Sequence, residues 1–520
     1  MAFSGDSASE TIAALLRDEP APLKTSPQLE KIMKRCLEKN PSLRYQRMSE
    51  LKVDLVKATA KKVAVSTDEP QPSIAVLPFV NMSGDKEQEY FSDGLAEEII
   101  NALTKILGLQ VIARTSAFAF KGKNEDIRKI AEILGVANIL EGSVRKSGNR
   151  IRITAQLIEA SKGIHLWSER YDRDMADVFA IQDEISQAIA GKLRLQLSVK
   201  HPLVKRQTEN IEAYNLYLKG RHHFYKATPE HLTKAKTYYE QAIVVDPNYT
   251  LAWYGLSKYY WLMGFGGFMQ RKLAHLESKQ AILKALELDQ MLAENHAMFG
   301  AIQAINYDWQ GSEKEFRLGM EFNPKSDEVL INYSWFYLTP MRRLNEAIAT
   351  MKKVLEFDPL SEVSHMFLGW FYSFIGEWDQ SIGHFRNALE LDPNYHYARM
   401  YLGLALIENG MIDEGVRTYE TAERNLGGSP ILAYARAGKV HKALALLENW
   451  ESDPNKPYLP ASFAQVYFAL GEIDQGFNWM EKAVEDRDQQ IYYIHADMKY
   501  DPLRSHPRYK ALLKRMNLEP

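Results

Sequence analysis

Helix-ending signals recur at a nearly constant interval through the second half of the chain. Each is an acidic or amide residue followed by a break, and they lie at Asp246, Asp289, Asn323, Asp358 and Asp392. The intervals between them are 43, 34, 35 and 34 residues. A period near 34 predicts a unit of two helices and a turn, stacked so that neighbouring units bury one continuous core. The longest interval contains the glycine-rich stretch 264–268, which we expect to lengthen one turn.

The positions inside these units support the period. Trp253, Leu256 and Tyr260 lie at helical spacing. Small residues recur where paired helices should touch, namely Ala235, Ser278, Ser312, Ala347, Ser381, Gly415 and Gly476. Residues 210–500 therefore resemble tetratricopeptide (TPR) repeats, and the resemblance implies an α–α superhelical solenoid that binds protein or peptide partners. An irregular helical bundle is the alternative.

Residues 73–200 mix strand and helix patterns. Ser147, Gly148 and Asn149 form a hairpin turn signal between two strand-like runs. In the second run apolar and polar residues alternate, which indicates one buried and one wet face. The order β-α-β-α-β-β-β-α predicts a small α/β domain whose helices lie on one face of the sheet.

Five stretches of this region resemble the amino-terminal-like domain of the TolB family. They are Ala75–Phe79, Tyr90–Leu95, Leu140–Val144, Arg152–Leu157 and His165–Glu169. In bacterial signalling proteins this domain occurs next to TPR repeats. The resemblance implies a fold for residues 73–200 and no reaction.

Residues 1–58 resemble the end of a bacterial serine/threonine protein kinase C-lobe, through Phe3–Ser7, Glu10–Ile12 and Arg35–Pro41. The kinase parts that hold ATP and its metal ions would precede Met1. No Asp-Phe-Gly motif and no phosphate-binding loop occurs elsewhere in the sequence. We therefore expect an incomplete helical kinase remnant without catalytic residues, then a linker at 59–72. At the other end, residues 501–520 are expected to form a capping helix.

Composition excludes several classes of protein. The chain has 520 residues and a net charge of −3, which argues against a nucleic-acid binder that relies on a global basic field. One cysteine, Cys36, excludes an intramolecular disulfide and a cysteine-rich zinc site. No apolar run of about 18 residues occurs, so we expect no membrane span. We predict a multidomain, mainly α protein of the cytoplasm that holds no cofactor and no metal.

A TPR solenoid offers a concave groove lined by the first helix of each pair. Helical spacing places a mostly apolar and aromatic set on that side, comprising Tyr254, Lys258, Trp261, Ile331, Trp335, Trp370 and Met400. An apolar or amphipathic peptide suits such a groove best. The alternative is that these side chains pack between repeats.

The sequence favours a non-catalytic scaffold of a signalling system that binds partners through the TPR groove. The second hypothesis is the C-terminal regulatory portion of a serine/threonine kinase whose catalytic part is missing from this chain. A third, a transcriptional regulator, is disfavoured because residues 1–58 resemble a kinase tail rather than a winged helix.

Overall fold

The structure is a computed structural model. It describes residues 72–518 apart from 86–87, 107, 194, 196–207, 227, 267, 427–428 and 453–459, together with scattered positions between 32 and 44. The chain divides into two units, Met1–Gln71 and Pro72–Pro520. The predicted kinase remnant (1–58) and linker (59–72) lie almost entirely outside the described residues. The architecture that can be followed is that of the second unit.

Within the described part of the chain, one six-stranded sheet forms the α/β domain. Its strands are β1 (Ser73–Val76), β2 (Val80–Asn81), β3 (Gln110–Val111), β4 (Asn138–Ser147), β5 (Arg150–Glu159) and β6 (Ile164–Asp174). The order is β3-β1-β4-β5-β6, and β2 also pairs with β4. β1 runs parallel to β3 and β4, whereas β4, β5 and β6 are antiparallel. The predicted hairpin joins β4 to β5, with Gly148 at φ 56°.

Helices cover both faces of this sheet, not one face as predicted. They are α1 (Glu89–Thr104), α2 (Arg114–Phe118), α3 (Ile127–Leu134) and α4 (Val178–Lys192). Val144 and Ile153 share a core with α1 and α4. Ala75 and Ile139 share a second core with α2 and α3 on the opposite face. The central strands β1 and β4 are therefore buried on both sides, which is the usual arrangement where parallel strands are joined by helices.

The remainder of the unit is built of antiparallel helix pairs. The helices are α5 (Ile211–Phe224), α6 (Pro229–Val245), α7 (Thr250–Phe265), α8 (Arg271–Leu288), α9 (Ala293–Ile305), α10 (Trp309–Phe322), α11 (Asp327–Tyr333), α12 (Leu344–Phe357), α13 (Glu362–Phe374), α14 (Trp378–Leu391), α15 (His396–Glu408), α16 (Ile412–Leu426), α17 (Ile431–Arg436), α18 (Val440–Ser452), α19 (Pro460–Ala469) and α20 (Ile473–Glu485). A π-helical turn, Ser334–Leu338, extends α11. The glycine-rich stretch lies at the turn between α7 and α8, as predicted.

Small residues hold the paired helices together. All seven predicted small residues are buried. At the closest pair, a Cβ on Gly403 of α15 would lie 2.8 Å from the carbonyl oxygen of Gly415 in α16. Similarly, a Cβ on Gly369 would lie 2.6 Å from the ring of Phe385. The two backbones, or a backbone and a ring, occupy the space that a larger side chain would need.

The chain ends in three short elements after α20. They are α21 (Ile491–Ala496), a 3₁₀ helix (Met498–Ser505) and α22 (Pro507–Arg515). Tyr509 and Leu512 of α22 are buried. The terminal helix lies within the segment predicted as a cap, 501–520.

We expect Gly403→Ala to lower the free energy of unfolding by about 1–3 kcal/mol, because the added methyl group meets backbone atoms that cannot move aside. Gly383→Ala is the matched control. Gly383 lies within α14, and a Cβ there would meet nothing within 4 Å. The control should raise stability by up to about 1 kcal/mol through helix propensity. Urea unfolding measures the free energy of unfolding of both variants. Equal changes in the two variants would contradict the close approach of α15 and α16 at Gly403.

Candidate functional site

The predicted groove residues lie on the first helices of their pairs, but they do not line one open groove. Tyr254, Trp335 and Trp370 are only 7%, 4% and 5% exposed. The other four, Lys258, Trp261, Ile331 and Met400, are half-buried. The concave surface therefore has a covered part and a part that reaches water.

The chain's own C-terminal segment covers the middle of the concave surface. The ring of Tyr493 in α21 lies between aromatic rings of three successive repeats, with centroid distances of 4.9 Å to Trp335, 5.2 Å to Trp370 and 5.7 Å to Tyr401. Trp335 and Trp370 are themselves 5.4 Å apart. Trp335 and Trp370 therefore pack against another part of the chain, as the alternative to an open groove expects, whereas partner binding by the predicted groove residues stays a prediction.

Hydrogen bonds attach the same segment to the middle repeats. Trp309 Nε1 donates to the carbonyl oxygen of Met516 at 2.7 Å. The Tyr492 hydroxyl donates to the carbonyl oxygen of Ala304 at 3.1 Å. The last repeats and the middle repeats accordingly share one apolar core. The sequence predicted no separate role for this segment, although the run Ile491-Tyr492-Tyr493-Ile494 is apolar and aromatic throughout, which is a signal of burial.

We expect Tyr493→Ala to lower the free energy of unfolding by about 3–5 kcal/mol, as for other large-to-small aromatic substitutions in a core. The near-ultraviolet circular dichroism of the neighbouring tryptophans should also weaken. Tyr397→Ala is the control, because Tyr397 lies on the same inner side but is 46% exposed. If both variants unfold at the wild-type urea midpoint, the packing of Tyr493 of α21 against the middle repeats is absent in solution.

Lys258, the one charged residue predicted for the groove, already has a partner. Its Nζ lies 2.9 Å from a carboxylate oxygen of Glu328, and the hydroxyl of Tyr254 donates to the other oxygen. Burial acts to lower the pKa of Lys258, but the Glu328 carboxylate and the nearby hydroxyl of Tyr225 together raise the pKa above its ordinary value. Lys258 therefore holds two repeats together rather than presenting an unpaired charge to a ligand.

A buried carboxylate joins the α/β domain to the solenoid. Asp358, which follows α12, is 1% exposed and accepts hydrogen bonds from the Ser116 amide at 3.0 Å and the Ser116 hydroxyl at 2.6 Å. The Ala113 amide donates to the carbonyl oxygen of Phe357 at 2.8 Å. Burial, and after it the Asp327 carboxylate, raise the pKa of Asp358 to about 7. The residue that ends a repeat in the sequence is thus also an interdomain contact.

The α/β domain meets the solenoid at a second place, the first repeat helix. Arg221 of α5 lies 3.2 Å from Glu97 and 3.7 Å from Glu98, both on α1. A Cβ on Gly94 of α1 would lie 2.7 Å from Leu218. The two contacts hold the domain against both the start of the solenoid and the turn between α12 and α13.

The raised pKa of Asp358 has a consequence for stability. The folded state keeps the proton up to about pH 7, whereas the unfolded chain releases it near the ordinary value of 3.8. The free energy of unfolding should therefore fall as pH rises between these values, by roughly 1.4 kcal/mol per pH unit. Asp358→Asn should remove this component.

Urea unfolding between pH 4.5 and 7.5 measures the slope in wild type and in Asp358→Asn. Asp392→Asn is the matched control, since Asp392 stands at the equivalent position one repeat later and accepts a hydrogen bond from the Asn394 amide. If the free energy of unfolding changed with pH in the same way in wild type and in Asp358→Asn, Asp358 would not be a buried, protonated carboxyl group at the domain contact.

The described residues hold no group of three or more histidine, cysteine, aspartate or glutamate side chains arranged to hold a metal ion. Histidines do meet in pairs, with Nδ1 atoms of His223 and His231 2.7 Å apart and those of His365 and His384 2.9 Å apart. Among the helices that the structure describes, none has the length and apolar character needed to cross a membrane.

Comparison with protein families identifies two parts of the chain. Residues 372–430 match the model of a tetratricopeptide repeat. The predicted TPR repeats are thereby confirmed there, and helix pairs of the same kind precede that segment. Residues 70–189 match the model of the second domain of HilA/YgeH-like transcriptional regulators. Neither the TolB-like resemblance nor the kinase remnant is supported by these comparisons.

Curated relatives match only part of their own length. A putative adenylate cyclase 3 of Rhizobium meliloti is 46% identical over 189 residues, which is 36% of this chain and 32% of that protein. The transcriptional regulator HilA of Salmonella typhimurium is 24% identical over 308 residues, 57% of this chain and 53% of that protein. The chain thus matches about a third to a half of these relatives.

Solved structures with similar helices have low overall similarity. The structure from a functional characterisation of Pseudomonas aeruginosa pilF has a TM-score of 0.31 and 19% identity, covering 42% of this chain and 96% of that one. The TPR protein YrrB, described as having an unusual peptide-binding site, has a TM-score of 0.24 and 18% identity, covering 37% and 96%.

Proposed function

We propose that residues 72–520 form a non-catalytic regulatory module that binds a protein partner through the open part of the TPR surface. The observation that carries this proposal is the double attachment of the α/β domain, at α5 and at Asp358. Because the α/β domain is packed against the repeats at two places, a partner bound to the repeats would also affect the α/β domain. TPR repeats support a protein or peptide as the ligand class.

The names of the relatives support a regulatory rather than a chemical role. One is a putative adenylate cyclase and the other a transcriptional regulator, and each matches this chain over only part of its length. A chain that is similar to parts of proteins with such different names is suited to controlling an output rather than to producing it. A place in a transcriptional regulator is favoured over a kinase origin by the match of residues 70–189. Action in the cytoplasm and the absence of nucleic-acid binding stay predictions.

The open part of the concave surface is where we place the partner. Met400 of α15 and Trp261 of α7 are half-buried, and Tyr397 is 46% exposed. These side chains lie on the inner helices, outside the three rings that Tyr493 contacts most closely. An apolar or amphipathic peptide matches their chemistry.

A random peptide library displayed on phage and selected on the full chain tests this proposal. We expect enriched peptides to share an apolar or aromatic consensus and to bind Met400→Glu at least tenfold more weakly than wild type. Val244→Glu is the control, because Val244 is 81% exposed near the end of α6, the second helix of its pair. Enriched peptides that bind Met400→Glu as well as they bind wild type would exclude this part of the surface.

A further inference from the structure

Two lysines from different domains each lie within 6 Å of the centre of the same tyrosine ring. Nζ of Lys146, in β4, lies 5.9 Å from the ring centre of Tyr90, in α1. Nζ of Lys219, in α5, lies 5.6 Å from the same ring centre. Lys146 also lies 5.6 Å from the ring of Phe91, and Lys219 lies 5.7 Å from the ring of Tyr238 in α6. The sheet and the repeats thus each contribute one ammonium group to the surroundings of Tyr90.

Neither ammonium group has a carboxylate partner within ion-pair distance among the described residues. Two acids close to Tyr90 in the sequence, Glu89 and Asp85, have other partners. Glu89 lies 2.8 Å from Lys121, and Asp85 accepts a hydrogen bond from Gln88 at 3.3 Å. Both lysines are half-buried, so water cannot fully screen the two charges from each other.

The electrostatics agree with this geometry. Burial, and after it the charge of Lys219, lower the pKa of Lys146. Burial also raises the pKa of Tyr90 to about 12, so its hydroxyl keeps its proton and stays a possible donor. The hydroxyl of Tyr90 lies 3.4 Å from Asn215 Oδ1. The aromatic faces compensate each ammonium in part, but they do not remove the repulsion between the two charges.

We propose that Lys146 and Lys219 form a binding site for a small, multiply charged oxyanion at the junction of the α/β domain and the first repeat. A phosphate or carboxylate group between the two ammonium ions would replace repulsion by two charge-assisted hydrogen bonds. The ligand would touch β4 and α5 at once, so it would strengthen the junction beside the contact of Arg221 with Glu97. The site is independent of the peptide surface proposed above.

The test measures the thermal midpoint of the full chain in inorganic phosphate, in citrate, and in sodium chloride of equal ionic strength. We expect a saturable rise in midpoint in at least one of the first two and none in the third, as ligand binding to the folded state requires. If the thermal midpoint rises in phosphate alone, the ligand is a phosphoryl group. If the thermal midpoint rises in citrate alone, the ligand carries carboxylates. Calorimetric titration should give one site per chain.

Variants separate a binding site from simple packing against the rings. Lys146→Met and Lys219→Met should each weaken the anion at least tenfold while leaving the ligand-free midpoint equal or higher, because one of two like charges is gone. Lys219→Arg should retain binding. The control is Lys352→Met, since Nζ of Lys352 lies 5.7 Å from the ring of Tyr372 without a second lysine there. The proposal would be overturned if the thermal midpoint of wild type changed equally in all three salts. It would also be overturned if the methionine variants kept the rise in thermal midpoint caused by phosphate or citrate.

Discussion

The contact of Tyr493 with Trp335, Trp370 and Tyr401 is the interaction on which the shape of the solenoid depends. In an open repeat array each unit touches only its neighbours, and stability is a sum of local terms. Here residues near the end of the chain return to the middle repeats and bury aromatic rings that lie about 90 to 160 residues earlier in the sequence. Several aromatic pairs of about 0.5–1.5 kcal/mol each, beyond the burial of their area, hold this closure together.

The α/β domain adds a second long-range closure. It packs on α5 and also receives the turn between α12 and α13 through Ser116 and Asp358. The solenoid is thus fastened at two separated points by a domain that precedes it in the chain. One of these points carries a buried carboxylate with a raised pKa, Asp358, and the other carries the ion pairs of Arg221 with Glu97 and Glu98, whereas the closure at Tyr493 is aromatic.

These closures narrow the function that the repeats can perform. The central aromatic side chains, which would be the natural anchors for a peptide, are already used within the protein. The surface that we propose for a partner is therefore the inner one around Met400 and Tyr397, with Trp261 farther along the solenoid. A regulatory module in which binding acts on the attached α/β domain follows from this arrangement more directly than a scaffold with a long, fully open groove.

The sequence by itself determined the repeat length, the pairing of helices and the hairpin of the sheet, because these depend on neighbours within about 40 residues. Gly403 and Gly415 are an example of such a local contact, since both are small in the sequence and they approach each other between two consecutive helices. Tertiary structure alone decided what covers Trp335 and Trp370. Helical spacing puts both on the inner side of the repeats, but whether that side meets water or another part of the chain depends on where the solenoid's curvature brings residues 491–496. The sequence likewise predicts only a helix end at Asp358, because its burial depends on a residue distant in the sequence. Asp358 is a buried acid only because Ser116 of the α/β domain packs against it.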